Sequence, residues 1–184
     1  MKKIIPIYIL LVLFALTSKA QQQEHNNAVF LGFGSYMISQ NNLNPINEFC
    51  PTINVIYNRF LDDGFVVGAG YSFSNISHYK YNINNQEIQC KEKYHTLTVS
   101  LGYKIDIHAF SMNPYIAAGV GFSRYKSKDY GLSNDCKAIF TLNPGIRLGY
   151  EIGRWMIFTS YHCDITPQYN HLYQNFNVGL GFLL

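Results

Sequence analysis

Apolar and polar residues alternate along most of the chain beyond residue 28, the pattern of β-strands that present one apolar face. Eight stretches show it, and we predict eight strands of roughly 9–13 residues, close to the about 9–11 that a tilted membrane strand needs. None of the apolar positions carries a charge. They are Val29, Leu31, Phe33 and Met37; Ile53, Val55 and Tyr57; Phe65, Val67, Ala69, Tyr71 and Phe73; Leu97, Val99, Leu101, Tyr103 and Ile105; Ile116, Ala118, Val120 and Phe122; Phe140, Leu142, Ile146, Leu148 and Tyr150; Trp155, Ile157 and Tyr161; Phe176, Val178, Leu180, Phe182 and Leu184.

The opposite faces of these strands are small and weakly polar, as in Gly68, Gly70 and Ser72 or Asn177, Gly179 and Gly181. The interior of an eight-stranded barrel has room for side chains of this kind. The exterior of a soluble barrel would carry many lysines and glutamates instead. The pattern therefore favours an antiparallel up-and-down transmembrane β-barrel over the alternative, a soluble lipocalin-like barrel.

Turns and aromatic residues support the same interpretation. Within the predicted strands, a glycine precedes an outward aromatic residue six times, so that the rings would form two girdles near the membrane surfaces. Long connections are predicted at residues 39–50, 75–92, 127–136 and 165–172, and short ones at 61–64, 107–113 and 151–154. Because Pro144 falls within a predicted strand, we expect a β-bulge at Asn143–Gly145, or a register displaced by one residue.

The first twenty residues have the layout of a secretory signal peptide. Lys2 and Lys3 precede an apolar run from Ile4 to Leu16, and small residues at Ser18 and Ala20 predict cleavage after Ala20. The run is too short for a spanning helix, which needs about 20 residues. We therefore expect a signal peptide at 1–20 and a single barrel domain at 21–184.

Charge is sparse: only 14% of the residues are charged, against about 25% in soluble domains. Of the 14 basic residues, three leave with the signal peptide, so 11 remain against 11 acidic ones and the mature chain is neutral. No basic cluster of the kind that binds nucleic acid is evident. No residue pattern calls for a cofactor.

At its carboxyl end the sequence reads Asn177-Val178-Gly179-Leu180-Gly181-Phe182-Leu183-Leu184. With this motif, in which Leu184 stands where phenylalanine is usual, the chain resembles the small eight-stranded outer-membrane barrels of the OmpA/OmpX-like and porin-like type over about residues 28–184. The resemblance implies insertion by the barrel assembly machinery and contact with outer-membrane lipid and lipopolysaccharide. Members of that group have diverse roles, so the resemblance indicates a location more than an activity.

Four cysteines fall at the predicted external rim: Cys50, Cys90, Cys136 and Cys163. The compartment is oxidising, so we expect at least one disulfide bond there. Four cysteines allow three pairings, and spacing does not choose among them. Unpaired thiols are the alternative, and no CxxC or HxxxH spacing suggests a metal site.

Charged residues of inward parity lie near the other end of the barrel: Lys104, Asp106, Arg147 and Glu151. One hypothesis is that they pair with each other and plug the lumen. The alternative is that Asp106 and Glu151 are rim residues in water.

Ser160, His162 and Asp164 share one face of the seventh predicted strand. Barrel enzymes that modify lipid A use these residue types, because a base must activate a hydroxyl and an acid must orient the base. Three side chains pointing the same way from one strand do not form a triad, however. We therefore predict no catalytic residues, and expect a non-enzymatic structural or surface-interaction barrel in the bacterial outer membrane. A narrow conduit for small or apolar solutes and a lipid A-modifying enzyme are the alternatives, and the external ligand stays undefined.

Overall fold

A computed structural model describes residues 26–39, 50–61, 63–83, 86–127, 133–166 and 171–184, nearly all of which belong to one β-sheet. Its segments are β1 (Asn27–Ser39), β2 (Cys50–Phe60), β3 (Phe65–Ile83), β4 (Gln86–Tyr103), β5 (Ile105–Ile107), β6 (Phe110–Ser127), β7 (Ser133–Ile152), β8 (Trp155–Thr166) and β9 (His171–Leu183). None of the described residues belongs to a helix long and apolar enough to cross a membrane. The predicted signal peptide lies outside the described residues.

The sheet closes into an eight-stranded antiparallel barrel, as the sequence predicted. β4 and β5 form one strand, interrupted at Lys104, and both pair with β6. Following cross-strand partners once around the barrel returns to β1 ten residues further along, through Val29, Tyr57, Ala69, Val99, Ala118, Leu142, Ile165, Leu172 and Ser39. This stagger tilts the strands, because closure of a sheet couples strand number, stagger and tilt.

The apolar face of every strand points outward, as predicted. Its side chains are among the most exposed in the chain, up to 67% for Val99 and 55% for Leu97. In water such a surface would aggregate, whereas in a bilayer it contacts acyl chains. At the short-turn end, three cross-strand aromatic pairs border this belt: Phe65–Tyr103, Phe110–Tyr150 and Trp155–Phe182. They confirm the predicted girdle on that side.

Two hairpins are longer than the sequence pattern indicated. Residues 75–92 were predicted as a long connection, but β3 continues to Ile83 and β4 begins at Gln86. Likewise β7 already begins at Ser133 within the predicted connection 127–136. These segments carry polar residues on both faces. They lack the apolar–polar alternation by which a strand is recognised in a sequence, because that alternation requires one apolar face.

Pro144 causes no bulge, contrary to expectation. The partners Leu142–Ile165 and Gly145–His162 lie in one continuous register, and Pro144 itself stands opposite Ile116. Proline instead interrupts the ladder towards β8, where Asn143 and Pro144 have no strand partners. The bulges in the described strands lie elsewhere, between Ile76 and Tyr79 and between Ser123 and Tyr125.

Tight turns join the strands at the end where the described chain begins and finishes. Two hairpins have two-residue turns, at His108–Ala109 and Gly153–Arg154, and the first residue of each has a positive φ of 61°. That geometry suits the twist of antiparallel strands. Outer-membrane barrels place short turns on the periplasmic side, so we expect the long hairpins to lie outside.

Candidate functional site

The barrel interior is the candidate site, because the buried polar side chains converge there. Several large residues of inward parity fill the space above glycines of neighbouring strands. A Cβ added to Gly181 would lie 2.6 Å from the Phe30 ring, and one added to Gly145 would lie 2.7 Å from the Tyr115 ring. Large side chains thus interlock with glycines, which is how a narrow interior reaches dense packing.

At the short-turn end the interior is apolar. Phe30 and Phe158 meet edge to face, with ring centroids 5.3 Å apart. Met156, Ala28 and Leu183 complete a buried cluster around them. These side chains fill the interior at this end, and the Ser111 hydroxyl contacts the Met156 sulfur at 4.0 Å.

Arg147 lies directly above this apolar cluster and is only 5% exposed. Its guanidinium carbon is 4.6 Å from the Phe30 centroid, 5.7 Å from the Phe158 centroid and 5.5 Å from the Tyr115 centroid. When the Asn58 side-chain amide is oriented with its oxygen towards Arg147, this oxygen accepts a hydrogen bond of 2.6 Å from Arg147 Nη1. Three aromatic faces and an amide therefore hold the cation, in place of a carboxylate.

A second group surrounds Asp164, whose side chain is fully buried. The Tyr36 hydroxyl and the Asn143 amide both donate hydrogen bonds to its carboxyl oxygens. His162 Nε2 lies 3.3 Å from Asp164 Oδ1, while His162 Nδ1 is 3.2 Å from the Tyr115 hydroxyl. Tyr115 therefore connects the carboxyl group to the arginine through an unbroken chain of contacts.

Asparagines continue this network along the inner wall. Asn177 accepts from Asn54 and donates to Asn175 at 2.5 Å, so β2 and β9, the two neighbours of β1, are joined through the interior. Beside them, Thr52 of β2 contacts Ser74 of the adjacent β3 at 2.9 Å. Because such a network needs every member in place, it fixes the relative positions of these strands.

The four charged residues proposed as a plug divide into two places. Lys104 Nζ lies 2.9 Å from Glu151 Oε1 and 3.1 Å from Asp106 Oδ1, at the short-turn end. Asp106 is 44% exposed, so this group meets water at the rim. Arg147 is not part of it and forms no ion pair with any described carboxylate. Of these four residues, Arg147 is therefore the one that lies inside the lumen.

Ser160, His162 and Asp164 all point inward, as the strand parity predicts. His162 contacts Asp164, but among the described residues neither forms a hydrogen bond with the Ser160 hydroxyl. Ser160 is 4% exposed and Asp164 is fully buried, so a lipid substrate on the outer wall could not reach them. No three described histidine, cysteine or acidic side chains are grouped as a metal site.

Of the four cysteines, the structure describes two side chains. Cys50 is buried and its amide donates to Ser35 Oγ at 3.1 Å, while Cys163 Sγ lies 3.5 Å from the Tyr161 hydroxyl. No disulfide joins Cys50 to Cys163. The side chains of Cys90 and Cys136 lie outside the described residues, so the expected disulfide stays a prediction.

The large inward residues were missed by the sequence analysis, which emphasised the small ones. Phe30 and Tyr36 share the parity of Gly32 and Gly34 on β1, and strand parity alone could have placed them inside. Their partners on other strands could not be found in this way, because contacts across the lumen depend on the stagger of the whole barrel.

Comparison with known proteins agrees with this architecture. The chain matches the family described as outer membrane protein beta-barrel domain over residues 7–182, and it belongs to that family. It is thus a protein of the bacterial outer membrane. A search among curated proteins gave no match.

Solved structures of other outer-membrane proteins share the fold. The chain is similar to Ail, the attachment invasion locus protein of Yersinia pestis, with a TM-score of 0.63 and 15% identity over 85% of this chain and 96% of that one. The neisserial surface protein NspA gives a TM-score of 0.61 and 12% identity, over 86% of this chain and 97% of that one. A major outer membrane protein of Thermus thermophilus gives a TM-score of 0.59 and 11% identity, over 86% of this chain and 99% of that one.

Proposed function

We propose that the protein is a non-enzymatic barrel with a sealed interior, which serves the outer membrane through its structure and its external surface. The observation that carries this proposal is the packing of Arg147 against Phe30, Phe158 and Tyr115. A buried cation held against three rings leaves little space for a solute. The Asp164 network blocks the lumen a second time, closer to the external end.

The long hairpins support a role at the cell surface. β3 and β4 have 19 and 18 residues, and β6 and β7 have 18 and 20. A tilted membrane strand needs about 9–11. Both hairpins therefore extend well beyond the membrane, and their paired backbones give a contact surface that a loose loop would not. The name of the structurally similar Ail, an attachment invasion locus protein, is consistent with such a role.

An enzymatic role is less well supported. The interior histidine and carboxyl group already contact each other and two tyrosines, and the nearby Ser160 is turned towards a packed lumen. Nucleophilic catalysis needs a hydroxyl within reach of its base and open to the substrate. Identical lipid A mass spectra from cells with and without the protein would agree with the proposal, whereas an altered acyl pattern would contradict it.

Planar-bilayer recording tests the sealed interior. We expect silent traces from the purified full-length protein under conditions where a general porin gives clear steps. Reproducible steps from the wild-type protein would favour the conduit instead.

Surface display is tested separately with an epitope tag inserted between Asn84 and Asn85, which separate β3 from β4. We expect antibody to label intact cells. A control tag in the short turn between Gly153 and Arg154 should be labelled only after the outer membrane is opened. Labelling of the first tag only in opened cells would contradict a surface role.

A further inference from the structure

His162 and Asp164 form a pair of titratable side chains inside the lumen, and both ring nitrogens of His162 have partners. His162 Nε2 lies 3.3 Å from Asp164 Oδ1, and His162 Nδ1 lies 3.2 Å from the Tyr115 hydroxyl. A neutral imidazole with its hydrogen on Nε2 satisfies both contacts, because it donates to the carboxylate and accepts from the hydroxyl. A proton added at Nδ1 would meet the hydroxyl hydrogen, so the contact with Tyr115 would have to reorganise.

The charges deep in the lumen balance while this pair carries one negative charge. Of the described side chains there, Arg147 supplies the positive charge and Asp164 the negative one. The Tyr36 hydroxyl and the Asn143 amide donate to Asp164, so together with His162 Nε2 three donors surround the carboxyl group, as suits its ionised form. Uptake of one proton by the pair, at either member, would leave the arginine without a counter-charge.

The other described groups that face the pair supply no compensating negative charge. β6 contributes Tyr115 and β1 contributes Tyr36, whose ring centroid lies 6.3 Å from that of Tyr94 on β4. β2 contributes Cys50, the register partner of Tyr36, and β9 contributes the amide of Asn175. The described inward residues of β3 include no titratable group. Phenols and thiols are mostly neutral at about pH 7, so the balance depends on the pair itself.

We propose that the His162–Asp164 pair is a proton-binding switch that loosens the interior of the barrel in acid. The His162 side chain is 13% exposed and that of Asp164 is 0% exposed, so a proton reaches the pair through the imidazole. Once bound, it leaves uncompensated positive charge in a dry space, which is costly. Because the contacts of the pair join β8 to β1, β6 and β7, the packing of these strands weakens. The inference adds pH dependence to the sealed interior, which bilayer recordings at neutral pH test separately.

Urea unfolding in vesicles, followed by Trp155 fluorescence at about pH 7.5 and about pH 5, tests the proposal. Histidine in an unfolded chain binds a proton near pH 6.5, so the stability that the neutral network contributes is present above that pH and lost below it. Acidification should raise the unfolding constant of the wild type about tenfold more than that of His162→Gln. The glutamine amide can still donate to Asp164, but it binds no proton.

The matched control is His95→Gln, which removes a histidine of the outer wall whose Nδ1 lies 2.8 Å from the Tyr71 hydroxyl. It should respond to acid like the wild type. Equal acid responses of the wild type and His162→Gln would overturn the proposal, and so would an equally weakened response of the control.

Hydrogen exchange in the folded wild-type protein gives a second test that needs no variant. After correction for the intrinsic pH dependence of amide exchange, peptides from β1, β6, β7 and β8 should lose protection at about pH 5, whereas peptides from β2 and β3 should keep it. Unchanged protection in all strands, or equal loss in all of them, would contradict the switch. Conducting traces at neutral pH would count against the sealed interior alone.

Discussion

Arg147 on β7 places its guanidinium carbon 4.6 Å from the centre of the Phe30 ring on β1, across the lumen of the barrel. The contact joins strands that are not neighbours in the sheet, since β8 and β9 lie between them. Burial of an arginine without a carboxylate is costly unless other groups replace water. Here aromatic faces and the Asn58 amide replace water around part of the guanidinium, while Arg147 Nε has no hydrogen-bond partner among the described residues.

Replacing Arg147 should therefore loosen the interior without opening it. Arg147→Ala removes the side chain that fills the space above Phe30 and Phe158, and we expect the free energy of unfolding to fall by about 2–5 kcal/mol, as for other large-to-small replacements of buried side chains. Planar-bilayer recordings should stay silent, because the apolar cluster and the Asp164 network still fill the lumen on either side. Arg147→Met keeps most of the volume without the charge and should cost less, because apolar replacements of buried charges are often tolerated. Current steps from Arg147→Ala would contradict this expectation and show that Arg147 alone seals the barrel.

The Tyr36 hydroxyl should contribute measurably to stability. Tyr36→Phe removes its hydrogen bond to the buried Asp164, and we expect the free energy of unfolding to fall by about 1–3 kcal/mol. The control Tyr57→Phe removes an exposed hydroxyl that lies 2.7 Å from Asn27 Oδ1, and should cost less. Urea titration in vesicles, followed by Trp155 fluorescence, measures both. If both variants lose the same free energy of unfolding, burial of the Asp164 network adds nothing to the stability that the Tyr36 hydroxyl contributes.

The outer wall was predictable from the sequence because the alternation within each strand shows which of its residues face outward. A period of two assigns Leu97, Val99 and Leu101 to one face without knowledge of any other strand. Lipid enforces that pattern strictly, since a charge at the membrane midplane costs about 2–4 kcal/mol. Above the membrane, water relaxes the constraint, and there the pattern ends β3 too early and begins β4 too late.

The interior was less predictable because its contacts are made between distant strands. Grouping Arg147 with Lys104, Asp106 and Glu151 assumed that opposite charges would pair. The structure brings the other three together and leaves Arg147 among aromatic rings. Inward parity shows that a side chain faces the lumen but not at which level along the barrel axis it lies. That level depends on the stagger between strands.

Any disulfide in this protein should include Cys90 or Cys136. Cys50 and Cys163 are not joined to each other, and a disulfide requires Cβ atoms about 3.5–4.5 Å apart. Peptide mapping of unreduced protein from the outer membrane should therefore give no Cys50–Cys163 linked peptide, and at least one linked peptide containing Cys90 or Cys136. Complete alkylation of all four thiols without reductant would contradict the disulfide prediction.

Gly32 and Gly179 are direct partners on β1 and β9, yet alanine should be tolerated at only one of them. A Cβ on Gly179 would lie 2.1 Å from the Leu31 carbonyl oxygen and 2.7 Å from Gly32 Cα, so the backbones would have to separate. A Cβ on Gly32 would lie 3.1 Å from the edge of the Phe158 ring and 3.7 Å from Asn177 Cβ, and a ring can shift by a few tenths of an ångström. We expect Gly179→Ala to abolish most refolding into vesicles, as measured by the fraction that migrates differently before boiling. Gly32→Ala should refold nearly like the wild type, at a cost within the about 1–3 kcal/mol of modest overpacking. If the two variants refold equally well, the close approach of β1 and β9 does not limit assembly of the barrel.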